Sequence, residues 1–372
     1  MVLVISRLVS PRQKQMQNKK AAKFIISAGT LAALTMAAVN TAAIGAKKEQ
    51  KYHAEFLNLF DTVTQIVGYA KNKEEFTELA TEVHDELETY HKLYDIYHDY
   101  EGIPNIKTIN DNAGKSPVKV DPKIIQMLSL AREAYEKTDG KVNVALGSVL
   151  SIWHDYRTAG LETPETAQVP PMDELKAAAL HTDFSKVIID EEASTVYLED
   201  PDMRLDVGSI AKGYATEQVA EFLEAKGTDH ILLSVGGNIR AIGKRADGKP
   251  WKLDIQNPDT DSEKTAIDTL GLDGLSLVSS GDYERYYVVD GVKYHHIIDA
   301  DTLMPAAYFR AVSIVCRDSG WADALSTAIF NLPYEKGLAL VERMDDVEAM
   351  WVMPDDSIRT SSGYEAYRSH DR

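Results

Sequence analysis

The sequence predicts an α+β fold: a single mixed domain of short strands and amphipathic helices over about residues 52–366, preceded by an N-terminal signal or anchor segment at 1–48. Three observations predict it. Amphipathic stretches at helical spacing mix with short β-branched runs, without the regular alternation that a parallel sheet needs. Asp290-Gly291, between the apolar runs 286–289 and 292–294, signals an antiparallel hairpin, because Asp-Gly suits a turn with φ > 0. No internal repeat is evident, and 372 residues of ordinary composition suffice to bury a sizeable core.

Residues 1–48 hold eight Lys or Arg and no acid, so the remainder carries −26 against −18 for the whole chain. An acidic body repels a phosphate backbone, which excludes nucleic acid as the expected partner. The basic stretch ends at Lys23, and an apolar run follows from Phe24 to about Ala46. This matches an export signal, or a membrane anchor if uncleaved, with the rest of the chain outside the cytoplasm. No cysteine stands at a lipidation position after the run. The only cysteine, Cys316, lies in the apolar run 311–316 and reads as a buried strand residue; one cysteine allows neither an intrachain disulfide nor a cysteine-rich zinc site.

Beyond a polar linker at 47–53, residues 61–67 alternate as a strand. Residues 74–94 align Phe76, Leu79, Ala80, Val83, Leu87, Tyr90 and Tyr94 on one helical face. The stretch 97–114 reads as a polar loop, 122–137 as a second helix, and 157–171, with three prolines, as another loop. Short strands follow at 187–189, 195–198 and 203–205, then a helix at 211–226 stopped by Gly227, and a buried strand at 231–235. A last helix at 321–332 ends before Pro333.

Four runs carry chemistry. In Asp206-Val-Gly-Ser-Ile-Ala-Lys-Gly-Tyr-Ala215, Gly208 permits a turn into a helix whose free N–H groups suit a phosphate. Asp206 there either caps the turn or meets a ribose hydroxyl, an amine or a metal. Gly236-Gly237 follows a strand, as a tight turn or a close approach to ligand. It lacks the spacing of a dinucleotide fingerprint, so no Rossmann fold is expected. His295 and His296 end the hairpin strand and face opposite sides, so one at most serves one site as a base. Asp323 and Thr327 share a helix face, either a solvated one or a site for a hard cation.

Taken in this order, and with Ser279-Ser-Gly-Asp-Tyr283, Pro305 and Thr138-Asp-Gly140, these motifs resemble the ApbE-type FAD:protein FMN transferases, an exported bacterial family. The resemblance runs from about Leu59 to Met350. It implies a catalytic domain that binds FAD, uses Mg²⁺, releases AMP and attaches FMN through a phosphoester to a threonine of an exported electron-transfer partner. Carried over by position, the metal ligands are the Ser209 carbonyl, Asp323 and Thr327. Flavin contacts are Phe60, Val142, Asn143, Val144 and Asp206. His296 is the base, Asp206 a second catalytic residue, and Lys212 borders the phosphates. Asn143 stands where the family usually has Asp, and Phe60 where it often has Met. An FAD pyrophosphatase and a flavin carrier without turnover remain as alternatives.

Overall fold

The computed structural model describes residues 25–28 and 49–369. Its centre is a nine-stranded sheet in which every ladder is antiparallel. Across the sheet the order is Ile25–Ala28, Gln50–Leu59, Thr62–Ala70, Ile231–Val235, Asn238–Ile242, Ser276–Gly281, Ala311–Cys316, Glu348–Val352, Ile358–Thr360. Eight α-helices accompany it among the described residues: α1 (Lys73–Tyr94), α2 (Ile106–Asp111), α3 (Pro122–Lys137), α4 (Gly147–Glu162), α5 (Met172–Ala179), α6 (Ala211–Ala225), α7 (Ser319–Phe330) and α8 (Tyr334–Val341).

The period of two in the strands sorts their side chains between two cores. On one face Ile66, Leu233, Val278, Val312 and Ile314 meet α1, α3, α6, α7 and α8. On the other, Val67, Leu232, Leu277 and Val315 meet the hairpin of Trp251–Gln256 with Ala266–Leu272. A third cluster joins α4 and α5 to the hairpin of Tyr286–Val289 with Val292–His295. The turn of that hairpin has the expected backbone, with φ 49° at Asp290 and 81° at Gly291.

α3 begins where its sequence says it should: Asp121 accepts the Lys123 N–H and Pro122 opens the helix. Helix α7 is apolar nearly all round, with Ala322, Ala324, Leu325, Ala328, Ile329 and Phe330 buried. Burying the larger of these stabilises by about 1.5–3 kcal/mol each. Any polar group carried inward with them must find partners.

Several expectations are corrected. Residues 50–53 of the expected linker belong to a strand, Gln50–Leu59, with Tyr52, Ala54, Phe56 and Leu59 buried, a period-two pattern diluted by charged neighbours. The polar loop 97–114 contains α2, because Asn105 caps it and Ile106 and Ile109 bury beneath it. The loop 157–171 starts late, since α4 continues to Glu162 and the first proline stands at 164. Residues 203–205 form only a bridge, Arg204 to Leu146, rather than a strand. The signal or anchor segment lies outside the described residues, apart from Ile25–Ala28, which pair as a strand with residues 52–55. No described helix is long and apolar enough to cross a membrane.

Candidate active site

The site is built where α6 and α7 touch. A Cβ on Gly213 would lie 2.2 Å from the Ser319 carbonyl oxygen and 2.4 Å from Asp323 Cβ, so only glycine allows this approach. Across the contact, the Gly213 N–H donates to Asp323 Oδ2 at 2.8 Å, and Lys212 Nζ stands 3.5 Å from the same oxygen. In a regular helix that N–H would reach back four residues, to Ser209. Among the described residues the Ser209 carbonyl accepts no backbone N–H, and Asp323 Oδ1 accepts no hydrogen bond. Thr327 stands one turn further along α7, half-buried. Carboxylate, carbonyl and hydroxyl oxygens are the donor set a hard divalent cation takes.

Two expectations change here. Asp323 does not lie on a solvated face; it is 5% exposed, because α6 covers it. The start of α6 is also partly occupied from within the fold. Ile210 and Ala211 donate to the Val207 carbonyl, and Gly213 is taken by Asp323. Gly208 is also not the residue with a left-handed backbone; its N–H closes a turn onto Asp206 Oδ1 at 2.9 Å. Gly213→Ala should therefore destabilise. The gain in helix propensity, about 1 kcal/mol, is outweighed by overpacking of about 1–3 kcal/mol. Thermal denaturation reads the difference, and an alanine variant as stable as the parent would contradict this packing.

The histidine pair divides its roles. His295 is buried: its Nε2–H donates to the Ala306 carbonyl at 2.7 Å, and Nδ1 accepts the Ile297 N–H at 3.2 Å. Those two bonds set a neutral tautomer and a structural task. His296 has a buried Nδ1 with no partner. Burial, then the charges of Arg285, His295, Arg157 and Lys212, hold its pKa well below the ordinary histidine value. Asp299, the end of that motif, is spent on Lys141 Nζ at 2.7 Å.

The carried-over flavin residues are unequal. The Asp206 N–H donates to the Val144 carbonyl at 2.8 Å, so the segment 142–144 runs beside the 206–209 turn. Val142 and Val144 are fully buried, with the Val142 N–H donated to Thr138 Oγ1 and the Val144 carbonyl taken by Asp206. The Asn143 amide is committed, donating to the Thr182 carbonyl and accepting the Ala145 N–H, each at 2.9 Å. Phe60 sits in a two-residue turn with Asp61, at φ 52° and 51°. A bulky residue is strained there, and such strain gathers at functional sites. Its N–H donates to His91 Nδ1 at 3.2 Å.

Sequence reasoning missed a group around Asp206. Tyr97 Oη and His154 Nδ1 lie 2.9 Å apart, joining the end of α1 to α4. Burial holds His154 below its ordinary pKa, with Asp206 opposing and Arg157 and Arg285 adding. Arg157 and Arg285 act on His296 as well, lowering its pKa in the same direction. Nothing in their spacing marks them, since they come from three separate segments. A second group, Glu217 with Arg240, was also unmarked; it ties α6 to the sheet through Nε contacts of 3.0 and 3.2 Å.

An antiparallel sheet backed by α6 and α7, with a carboxylate clamped at their crossing, defines a class. The ApbE family profile matches residues 60–351, and the chain belongs to the ApbE family. Among its relatives, the FAD:protein FMN transferase of Treponema pallidum is 36% identical over 272 residues, 69% of this chain and 73% of the relative. That of Haemophilus influenzae is 28% identical over 84% of this chain and 86% of its own. The crystal structure of the ApbE protein of Thermotoga maritima superposes with a TM-score of 0.75 at 27% identity, covering 86% of this chain and all of that one.

Proposed function

We propose that this chain is an FAD:protein FMN transferase. The threonine hydroxyl of an exported partner attacks the FMN phosphorus of FAD, the bond to the AMP oxygen breaks, and His296 takes the hydroxyl proton. The observation that carries this reading is the buried Asp323 carboxylate, with Oδ2 committed to α6 and Oδ1 uncommitted. Asp323, Thr327 and the Ser209 carbonyl would hold Mg²⁺, which when bound neutralises charge growing on the phosphoryl oxygens. Lys212, beside Asp323, borders the phosphates. Asp206 and Phe60 meet the flavin nucleotide by side chain, and the buried segment of Val142, Asn143 and Val144 supports the Asp206 turn from behind. His296 is supported as the base by its unpartnered Nδ1 and by a pKa that keeps it neutral.

The protein works outside the cytoplasm, at the outer face of the cell membrane, exported and, if uncleaved, anchored by residues 1–48. The basic run before the apolar segment supports this. The acceptor is a separate exported electron-transfer protein.

The experiment incubates the full chain with FAD and Mg²⁺, with and without a peptide carrying the acceptor threonine. FMN-peptide and AMP in equal amounts are expected by mass spectrometry, and none in the presence of a chelator. AMP and free FMN without adduct would replace the reading with a pyrophosphatase, and FAD binding without AMP with a carrier.

A further inference from the structure

The two helices that build the site exchange carboxylates. Gly213 and Glu217 stand one turn apart on α6, and Ser319 and Asp323 one turn apart on α7. Asp323 accepts the Gly213 N–H at 2.8 Å, and Glu217 Oε2 accepts the Ser319 N–H at 2.7 Å. Each carboxylate therefore answers an N–H in the first turn of the other helix, where the ladder leaves donors without partners. Both acids are buried, at 4% and 5% exposure.

Glu217 is itself held in place. Both its oxygens meet Arg240 Nε, and Arg240, 1% exposed on the strand Asn238–Ile242, reaches the Ala241 carbonyl and Glu224 with its other nitrogens. Sheet, α6 and the first residue of α7 are thus linked through one carboxylate. Among the described residues the Glu217–Ser319 and Gly213–Asp323 hydrogen bonds are the two that join the helices, within packing that runs along both. The latter uses the residue whose second oxygen the site needs.

We propose that Glu217 is a positioning residue for the metal site, fixing α7 against α6 so that Asp323 keeps Oδ2 on Gly213 and leaves Oδ1 for the cation. This rests on the metal-site reading above. Removing Glu217 alone would strand a buried guanidinium, so the test replaces both partners by apolar residues of similar size, Glu217→Leu with Arg240→Met, a change buried ion pairs often tolerate. Mn²⁺ binding to the full-length chain is titrated by electron paramagnetic resonance, alongside melting temperature and the Mg²⁺ dependence of transfer.

The expected result is a folded protein whose Mn²⁺ affinity falls about tenfold or more, the usual scale for losing a group that orients a metal ligand. Transfer should recover at high Mg²⁺. Parental affinity in the folded double variant overturns the proposal. If the double variant does not fold, Glu217→Asp, which withdraws the carboxylate by one methylene, is titrated in its place; several-fold weaker binding supports the role, and parental binding overturns it. Asp323→Asn separates the two readings. If it binds Mn²⁺ as tightly as the parent, the metal site itself is misassigned and this inference falls with it.

Discussion

Asp323→Asn is expected to lower FMN transfer by about 10²–10³-fold, the scale for removing one preorganised electrostatic contact to a transition state, with little change in melting temperature. The separation is possible because the proposed metal ligand also makes a helix contact. Its Oδ2 accepts the Gly213 N–H at 2.8 Å, and an asparagine oxygen can accept the same bond. What asparagine cannot supply is the negative charge that a hard cation needs. Asp323→Ala would add a second effect, an orphaned N–H in a dry crossing, costing about 1–3 kcal/mol. Measured together, the two variants split the loss: asparagine reports the charge, and the further fall in stability with alanine reports the helix contact. Parental turnover in the asparagine variant would rule Asp323 out as the metal ligand.

His296→Gln should reduce transfer by about 10²–10⁴-fold, the usual contribution of a positioned base, while FAD binding stays near that of the parent. A distinctive pH profile should accompany this. The folded-state pKa lies well below that of a free histidine because of burial and the nearby Arg285, His295, Arg157 and Lys212. The neutral, proton-accepting form therefore already dominates above the ordinary histidine pKa, about 6.5, and remains dominant as pH falls toward the depressed value. Transfer per active site should be flat on the acid side through pH 6.5 and drop only below it. The same sign holds for stability: protonating the ring is harder in the fold than in the unfolded chain, so this group's contribution is full above pH 6.5 and is lost as pH falls. An acid limb centred at or above 6.5 would mean that another group is the base.

Both residues stand in motifs visible in the sequence, but their surroundings are not visible there. Local signals carried far. The ends of α3 match because Asp121, Pro122 and a clean apolar stripe agree, and the Asp290-Gly291 turn adopts the backbone its residues favour. Gly213 was visible inside a motif, yet its use is not local. It is small because another helix passes 2.2 Å from where its Cβ would be, and nothing near it in sequence says so. Asp323 likewise reads as a solvent-facing acid until α6 is laid over it. Tyr97 was assigned to a loop and His154 to no element; only the packing of α4 brings them together. The resemblance named Val142 and Val144 without saying that their side chains belong to the core. Asn105, inside a stretch that reads as a polar loop, is a helix cap, because loop and cap exploit the same side-chain oxygen.

The order of the strands bears on how the chain acquires its shape. The seam at the middle of the sheet joins Val67 to Leu232, a separation of 165 in the numbering. Helices α1 to α6 all lie within the loop it closes. Closing so long a loop forfeits chain freedom before any contact rewards it, so folding rates fall as such pairings accumulate. The two sides of the Gly213–Asp323 crossing are 110 residues apart again, Gly213 inside that loop and Asp323 beyond it. No early fragment emerging from synthesis can hold both. Refolding from denaturant should be slow for the chain's size, and transferase activity should return with the last, slowest phase rather than with the first helices.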